Sequence, residues 1–363
     1  MTDLLYSEEE EALRSAVRDL LTDRCDAASV LARAESDVPH DRELWKALTD
    51  GMGLAGLLVP EELGGQGATH REAAVVLEEL GRAVAPVPYL TSAVVATETL
   101  LACDASEATE LLGALASGRT VGALAVSLAA APGAPFKDVR HEDGTLHGEL
   151  TGIADADGAD VLLVPAGGVL FAVDTDQDGV TVTPQTSLDL TRRIATVTFD
   201  GARARALTQD ARHAVAQGLR AGAGLLASEQ LGIAEWCLTE TVRYVQERHQ
   251  FNRPVGSFQA LKHRLAQLWL EVVNTRAAAR HAADALAAGS DEPNLVAALA
   301  QAYAAPVAVR AAEEALQLHG GIGMTWEHPV HLYLKRAKAD SIAYGTVGRH
   351  REALAEMVEL PAP

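Results

Sequence analysis

Aromatic residues make up only 4% of this 363-residue chain, cysteine occurs three times, and positive charge is scarce: 30 lysines and arginines stand against 50 aspartates and glutamates. Each shortage excludes something. A formal net charge of −20 argues against nucleic acid as a partner, because the surface as a whole repels phosphate. Cys25, Cys103 and Cys237 are far apart and odd in number, which points to reduced thiols rather than a disulfide framework. No uninterrupted apolar run reaches the roughly 18 residues that span a bilayer. The acidic stretch from Met1 to Glu10 has no apolar signal core. These absences set the expectation of a cytoplasmic protein without membrane insertion.

What is present is alanine-rich and 48% hydrophobic, enough for real cores and biased toward helix. The length predicts two or three domains. Residues 1–119 read as a helical domain. Ser7–Glu10 and Thr69–Glu72 both have the spacing of a capping box, and Leu13, Val17 and Leu20 or Leu21 follow the first at helical intervals. Between the boxes, an apolar segment from Gly53 runs into the glycine-rich loop Gly64-Gly65-Gln66-Gly67. Residues 120–204 hold short β-type runs: Val121–Val126, Val161–Pro165, Val169–Val173, Val180–Val182 and Ile194–Phe199. Turn residues separate them, which suggests a small barrel or sandwich. Residues 205–363 return to helical spacing, with Leu231, Ala234, Leu238, Val242 and Val245 on one stripe and Phe258, Leu261, Leu265, Leu268 and Val272 on another. Pro293 marks a third helix start, and a fourth helix follows Gly348, so this part reads as a four-helix bundle.

Two segments carry chemistry. Arg248-His249-Gln250-Phe251-Asn252-Arg253-Pro254 sets two arginines around an aromatic ring, a set suited to an anionic ligand with a flat ring system. Taken alone, Arg248 also reads as a helix-terminal cation complementing the macrodipole. Gln317-Leu318-His319-Gly320-Gly321-Ile322-Gly323 is a turn whose glycines let a bulky ligand approach the backbone. Together with "GLLVPEELGGQG" and "VLEELGRAVAPVPYL" in the first domain, these segments resemble the acyl-CoA dehydrogenases over nearly the whole chain. The resemblance implies a mainly α fold with a central β domain: helical amino-terminal domain, small β-barrel, carboxy-terminal four-helix bundle. It also implies FAD as cofactor, an acyl thioester on CoA or a carrier protein as substrate, and electron-transfer flavoprotein or a similar acceptor as partner. By the same resemblance, Arg248, Phe251, Phe258 and Gln259, with Gln317, Gly320 and Gly321, contact the flavin dinucleotide of a neighbouring subunit. Thr346 falls in a further cofactor-contacting segment. A homo- or hetero-oligomer, dimer or tetramer, follows from that sharing. Asn252 stands where the family usually has glycine, and asparagine tolerates the left-handed backbone such a turn needs.

The chain also departs from the family. Val126–Gly133 replaces a Thr-Glu-Pro-Gly-like loop, and Thr151–Asp157 replaces a Trp-Ile-Thr-Asn stretch. The family's reaction needs a carboxylate to take the α-proton while the β-hydride goes to the flavin. One family site for that carboxylate aligns with Tyr344, the other with Gly222, with Arg220 near by. A phenol with an ordinary pKa near 10 is a poor base at neutral pH. Glu229, Glu240 and Asp340 are the acidic residues on nearby helices, and helix-surface carboxylates are usually solvated, so the catalytic base is unassigned. The pattern resembles a branch whose glutamate-free chain pairs with a glutamate-bearing one and acts on steroid-type or other bulky acyl-CoA thioesters. The alternative is a non-catalytic scaffold that has kept the fold and lost flavin and substrate.

Overall fold

The structure, a computed structural model, describes residues 4–38, 40–290 and 292–360; Met1 to Asp3, part of the acidic stretch noted above, lie outside them. Helix α1 (Glu8–Arg24) starts with the expected capping box: Ser7 Oγ accepts from Glu10 N–H while Glu10 reaches back to Ser7 N–H. Helices α2 (Ala27–Ala34) and α3 (Arg42–Asp50) follow, each capped by an aspartate. Helix α4 (His70–Ala83) carries the second capping box, Thr69 with Glu72. After Pro86 and Pro88 the chain enters a buried π-type segment, Tyr89–Ala96, continuous with α5 (Thr97–Leu101), and α6 (Ser106–Ala116) closes the first helical part.

Two four-stranded sheets make the middle. In one, β1 (Gly122–Leu124) pairs in parallel with β4 (Val161–Ala166), which pairs antiparallel with β5 (Val169–Asp174) and through it with β8 (Arg205–Thr208). In the other, β2 (Arg140–Glu142), β3 (Thr145–Ala154), β7 (Ile194–Arg203) and β6 (Val180–Pro184) lie antiparallel in the order β2-β3-β7-β6. A bridge from Val139 to Ala166 links the two. The expected runs land in β1, β4, β5, β6 and β7. Strand β3 was not legible because Gly148, Gly152 and two register shifts interrupt its alternation.

Helix α7 (Ala211–Glu247) is the axis of the molecule, packed on α4, α5, α8 (Gln259–Ala287) and α9 (Pro293–Leu318). Glycine lets α4 and α7 touch backbone to backbone: a Cβ on Gly232 would sit 1.9 Å from Glu78 O, and one on Gly81 2.2 Å from Glu229 O. Helix α9 is apolar and long enough to cross a membrane, yet 67% of its most apolar window is buried inside the protein, as befits a core helix. Pro293 opens it as expected. Helix α10 (Val330–Asp340), which sequence spacing did not announce, packs on α9 before α11 (Val347–Met357), also packed on α9, ends the chain.

Candidate functional site

The end of α7 is built to face outward. Arg248 caps the helix, its backbone N–H donating to Tyr244 O at 2.8 Å as the chain turns to extended conformation. Strands β9 (His249–Gln250) and β10 (Arg253–Pro254) form a minimal hairpin whose two turn residues, Phe251 and Asn252, have φ of +53° and +61°. This is the backbone pattern of a type I′ turn. Asn252 therefore does what the sequence reading asks of it. Phe251 does something costlier: a bulky residue in left-handed conformation costs about 1–2 kcal/mol, and the residue is 86% exposed. The ring meets Phe258 edge-on at 6.1 Å, and the Arg253 guanidinium lies 3.9 Å from the Phe258 ring centre. Gln259, the first residue of α8, is exposed with its amide turned toward His263. Among the described residues the Arg248 guanidinium has no ion-pair partner.

The second segment lies against the first. Gln317 is exposed on the last turn of α9 and Gly320 takes φ +62°. The Tyr244 hydroxyl donates to His319 O at 3.2 Å, and the two rings lie 4.4 Å apart. The glycines of the turn have different jobs. A Cβ on Gly320 or Gly321 would meet no atom of this chain within 4 Å, whereas one on Gly323 would press into Leu316 O at 2.5 Å. Gly323 serves packing within the chain, and Gly320 and Gly321 leave room for something outside it. Thr346 does not join this surface. It caps α11, accepting from Arg349 N–H at 3.3 Å, and belongs to the region of Tyr344.

That region is closed. Tyr344 is buried, with φ +53°, and donates its backbone N–H to Leu128 O at 2.6 Å. A Cβ added to Gly222 would come 3.1 Å from the Tyr344 ring and 2.8 Å from Val95 Cγ2. The two positions that the resemblance offers for a catalytic carboxylate thus lie face to face, and the bulk of one fills the space left by the other. Gly345 is pressed equally close to Ala131 and His350. The cavity at this contact, lined by Thr91, Val95, Leu124, Val126, Leu128, Ala154, Leu219 and Tyr344, measures about 10 Å³, room for about one water at most; a larger one of about 230 Å³ lies beside Ala131, Arg220 and His350. Burial pushes the Tyr344 phenol further up, despite the opposing pull of Arg192, so it stays neutral and is no base.

The acidic residues raised by the sequence are not the solvated carboxylates expected of them. Glu229 and Asp340 are buried in an ionic cluster that sequence reasoning missed. Arg192 donates to Glu229 at 2.6 Å and to Asp340 at 2.8 Å. Arg336 donates to Glu229 and to Asp189, both at 2.6 Å. Burial raises the Glu229 pKa, but the two guanidiniums outweigh it and hold the group below its ordinary range. Asp340 goes the other way, raised by burial and by the Glu229 charge, with Oδ2 unpartnered. Glu240 is half-buried and paired with Arg243 one turn along α7. Asp155, close to the small cavity through Thr91, is pinned by Thr91 Oγ1 at 2.6 Å and His40 at 3.3 Å. Each of these carboxylates is engaged by at least one partner within the chain. The only sequence signals for the cluster were Arg192 after the strand region and Arg336 within "HLYLKRA", and neither announces a buried pair.

The residues present fit a flavin dinucleotide best when it is offered from outside. Arg248, Gln259, Gln317 and the open Gly320–Gly321 turn supply donors and clearance on one exposed face, as a pyrophosphate and its sugar require. The middle domain also shapes a groove of about 290 Å³, where Val126–Ala130 and Leu150–Ile153 meet, joined by Leu128 N–H donating to Gly152 O at 2.8 Å. Its polar lining is Ser127, Thr151 and Lys137, a thin set for gripping a ring.

Comparison with known proteins bears on both faces. Residues 7–119 match the acyl-CoA dehydrogenase N-terminal domain and residues 212–359 the C-terminal domain. The chain is 37% identical over 340 residues to acyl-CoA dehydrogenase IpdE2 of Mycolicibacterium smegmatis, covering 93% of this chain and 95% of that one. Among solved structures it is similar to the ChsE4–ChsE5 complex of Mycobacterium tuberculosis, with TM-score 0.87, 29% identity, and coverage of 99% and 100%. It is equally similar to a variant of the steroid acyl-CoA dehydrogenase Tcur3481–Tcur3483, with TM-score 0.86, 29% identity, and coverage of 97% and 98%. With the fold, the chemistry of the exposed face and a relationship over almost its full length in agreement, the chain belongs to the acyl-CoA dehydrogenases, oxidoreductases of CH–CH groups that bind FAD.

Proposed function

We propose that this chain is one subunit of a hetero-oligomeric acyl-CoA dehydrogenase and completes the flavin site of a glutamate-bearing partner chain. One observation carries the reading: the place for a catalytic carboxylate is filled by Tyr344 against Gly222, while Arg248, Phe251, Gln259 and the Gly320–Gly321 turn lie exposed, and among the described residues the Arg248 guanidinium has no ion-pair partner. In this reading FAD, when bound, accepts the β-hydride, and the partner's carboxylate takes the α-proton. Arg248 and Gln317 would hold the dinucleotide, Phe251 and Phe258 would offer it apolar contact, and the glycine turn would allow the backbone to approach. Thr346 is the one proposed contact that remains on the side of this chain's own middle-domain groove. The substrate is a bulky acyl-CoA thioester of the steroid type, in keeping with the steroid dehydrogenase among the similar structures, and an electron-transfer flavoprotein-type acceptor would take the electrons onward.

The test is expression of the chain alone and together with a glutamate-bearing partner, read by flavin absorbance and by acyl-CoA-dependent reduction of an artificial acceptor. The expected result is a colourless, inactive chain that becomes part of a yellow, active complex. A yellow homo-oligomer with robust turnover would overturn the subunit reading. A complex that stays colourless with added FAD would favour the scaffold alternative.

A further inference from the structure

Glu240 on α7, His319 at the end of α9 and His328 in the loop before α10 come from three separate parts of the chain, yet each brings one ligand atom within 4.8 Å of the other two. His319 is the informative member. It is 1% exposed, its Nδ1 lies 2.6 Å from Ala315 O, and its Nε2 is buried without a partner. A carbonyl at that distance fixes the proton on Nδ1 and leaves a lone pair on Nε2. This is the arrangement of a metal-ligating imidazole, whose second nitrogen donates to a backbone carbonyl. In a site without an ion, a buried unpaired acceptor of this kind is costly. His328 lies ring to ring with His319 at 4.2 Å and tilted to Trp236 at 6.5 Å, and its Nδ1 accepts from Val330 N–H at 3.3 Å. Glu240 supplies the negative charge. Its present partner, Arg243, has a side chain 57% exposed and can swing into water at small cost, since exposed ion pairs are worth about 0.2–1 kcal/mol.

We propose that Glu240, His319 and His328 form a binding site for a borderline divalent cation, with zinc the best match. Two imidazoles and a carboxylate are a nitrogen–oxygen set that zinc takes in tetrahedral geometry, with the fourth position open to water. The ligand atoms need only close from their present spacing to about 2 Å from a common centre, which side-chain rotation of the half-buried Glu240 and His328 allows. The ion would tie the end of α7 to the turn that carries Gly320 and Gly321, so it would brace that turn. The site stands independently of flavin, and so does its test.

The experiment uses the tag-free full-length chain stripped with a chelator, titrated calorimetrically with zinc chloride and by absorption with cobalt chloride. One ion per chain is expected, with cobalt bands of tetrahedral intensity. His328→Asn and Glu240→Gln each remove one ligand at a half-buried position and should weaken zinc at least about 100-fold, as loss of a direct ligand exceeds the loss on removing its supporting partners. Circular dichroism confirms that both variants fold. Zinc should raise the thermal midpoint of the unchanged chain and not of the variants. No stoichiometric binding by the unchanged chain, or equal affinity in both variants, would overturn the proposal.

Discussion

Two ends of α7 invite comparison. Near Gly222 the helix meets Tyr344 and Val95 so closely that the space between them is about 10 Å³, with larger cavities of about 230 and 200 Å³ lying beside it at Arg220 and at Val215. At Arg248 it ends in a hairpin that holds Phe251, 86% exposed, on left-handed backbone. In the first region, polar groups are consumed within the chain: Tyr344 N–H by Leu128 O, Glu229 by two arginines. In the second, a guanidinium, two carboxamides and a bare glycine turn have little to bind within the chain. The contrast teaches that a fold can keep the outward half of a shared site while the inward half closes. Strain and exposed apolar surface are tolerated where a ligand or neighbour is to cover them, and the interior is packed where none is to enter.

The comparison can be broken most directly at Tyr344. Tyr344→Glu removes the ring that occupies the junction and places a carboxylate at the family's base position. With FAD bound, the variant should gain measurable acyl-CoA dehydrogenation over the unchanged chain, and a positioned general base is worth about 10²–10⁴-fold. No gain from a flavin-loaded variant would show that the Leu128–Ala131 segment, rather than the missing base alone, closes the region.

Arg336→Met tests the interior next. It leaves Asp189 without its guanidinium partner and Glu229 with only Arg192, and breaking a buried pair from one side costs about 3–5 kcal/mol. Urea unfolding should show that loss. A change below about 1 kcal/mol would put the cluster on a par with exposed pairs.

Arg248→Ala probes the open face. Folding should be nearly unaffected, while FAD retention in the complex weakens by about 1.5–3 kcal/mol, or roughly 10- to 100-fold. Unchanged flavin occupancy would remove Arg248 from the site.

The smallest effect separates the two carboxylates by pH. Glu229 has a folded pKa below its ordinary 4.5, so the stability it contributes is present above that pH and lost as pH falls through the folded value. Asp340 is raised well above its ordinary 3.8, so its contribution is present below that pH and lost as pH rises through the folded value. Asp340→Asn should therefore remove the loss in urea midpoint that sets in as pH rises above the ordinary carboxylate range. An unchanged fall in stability with rising pH would show that the Asp340 carboxyl is not raised in the folded state.

Legibility divided along physical lines. Capping boxes at Ser7 and Thr69, the Pro293 helix start and the left-handed Asn252 were readable because each depends on a few consecutive residues and the local backbone. The helical stripes of α7 and α8 and five of the strands were readable from period alone. The interruption of β3 by glycine and the unannounced α10 mark where period fails. The exposed donors of Arg248–Gln259 and Gln317–Gly321 were found as motifs, and that they adjoin was settled by Tyr244 against His319, residues 75 apart in sequence.

The chain's order of residues by itself determined the helix–strand–helix layout, the acidic surface and the two outward-facing segments, because propensity, charge and turn chemistry act over a few residues. Only the tertiary structure decided that Tyr344 and Gly222 fill one space, that Glu229 is locked between Arg192 and Arg336 with Asp340 on Arg192, and that Glu240, His319 and His328 share a corner. Those outcomes depend on burial and on distances between residues far apart in the chain, and packing alone sets them.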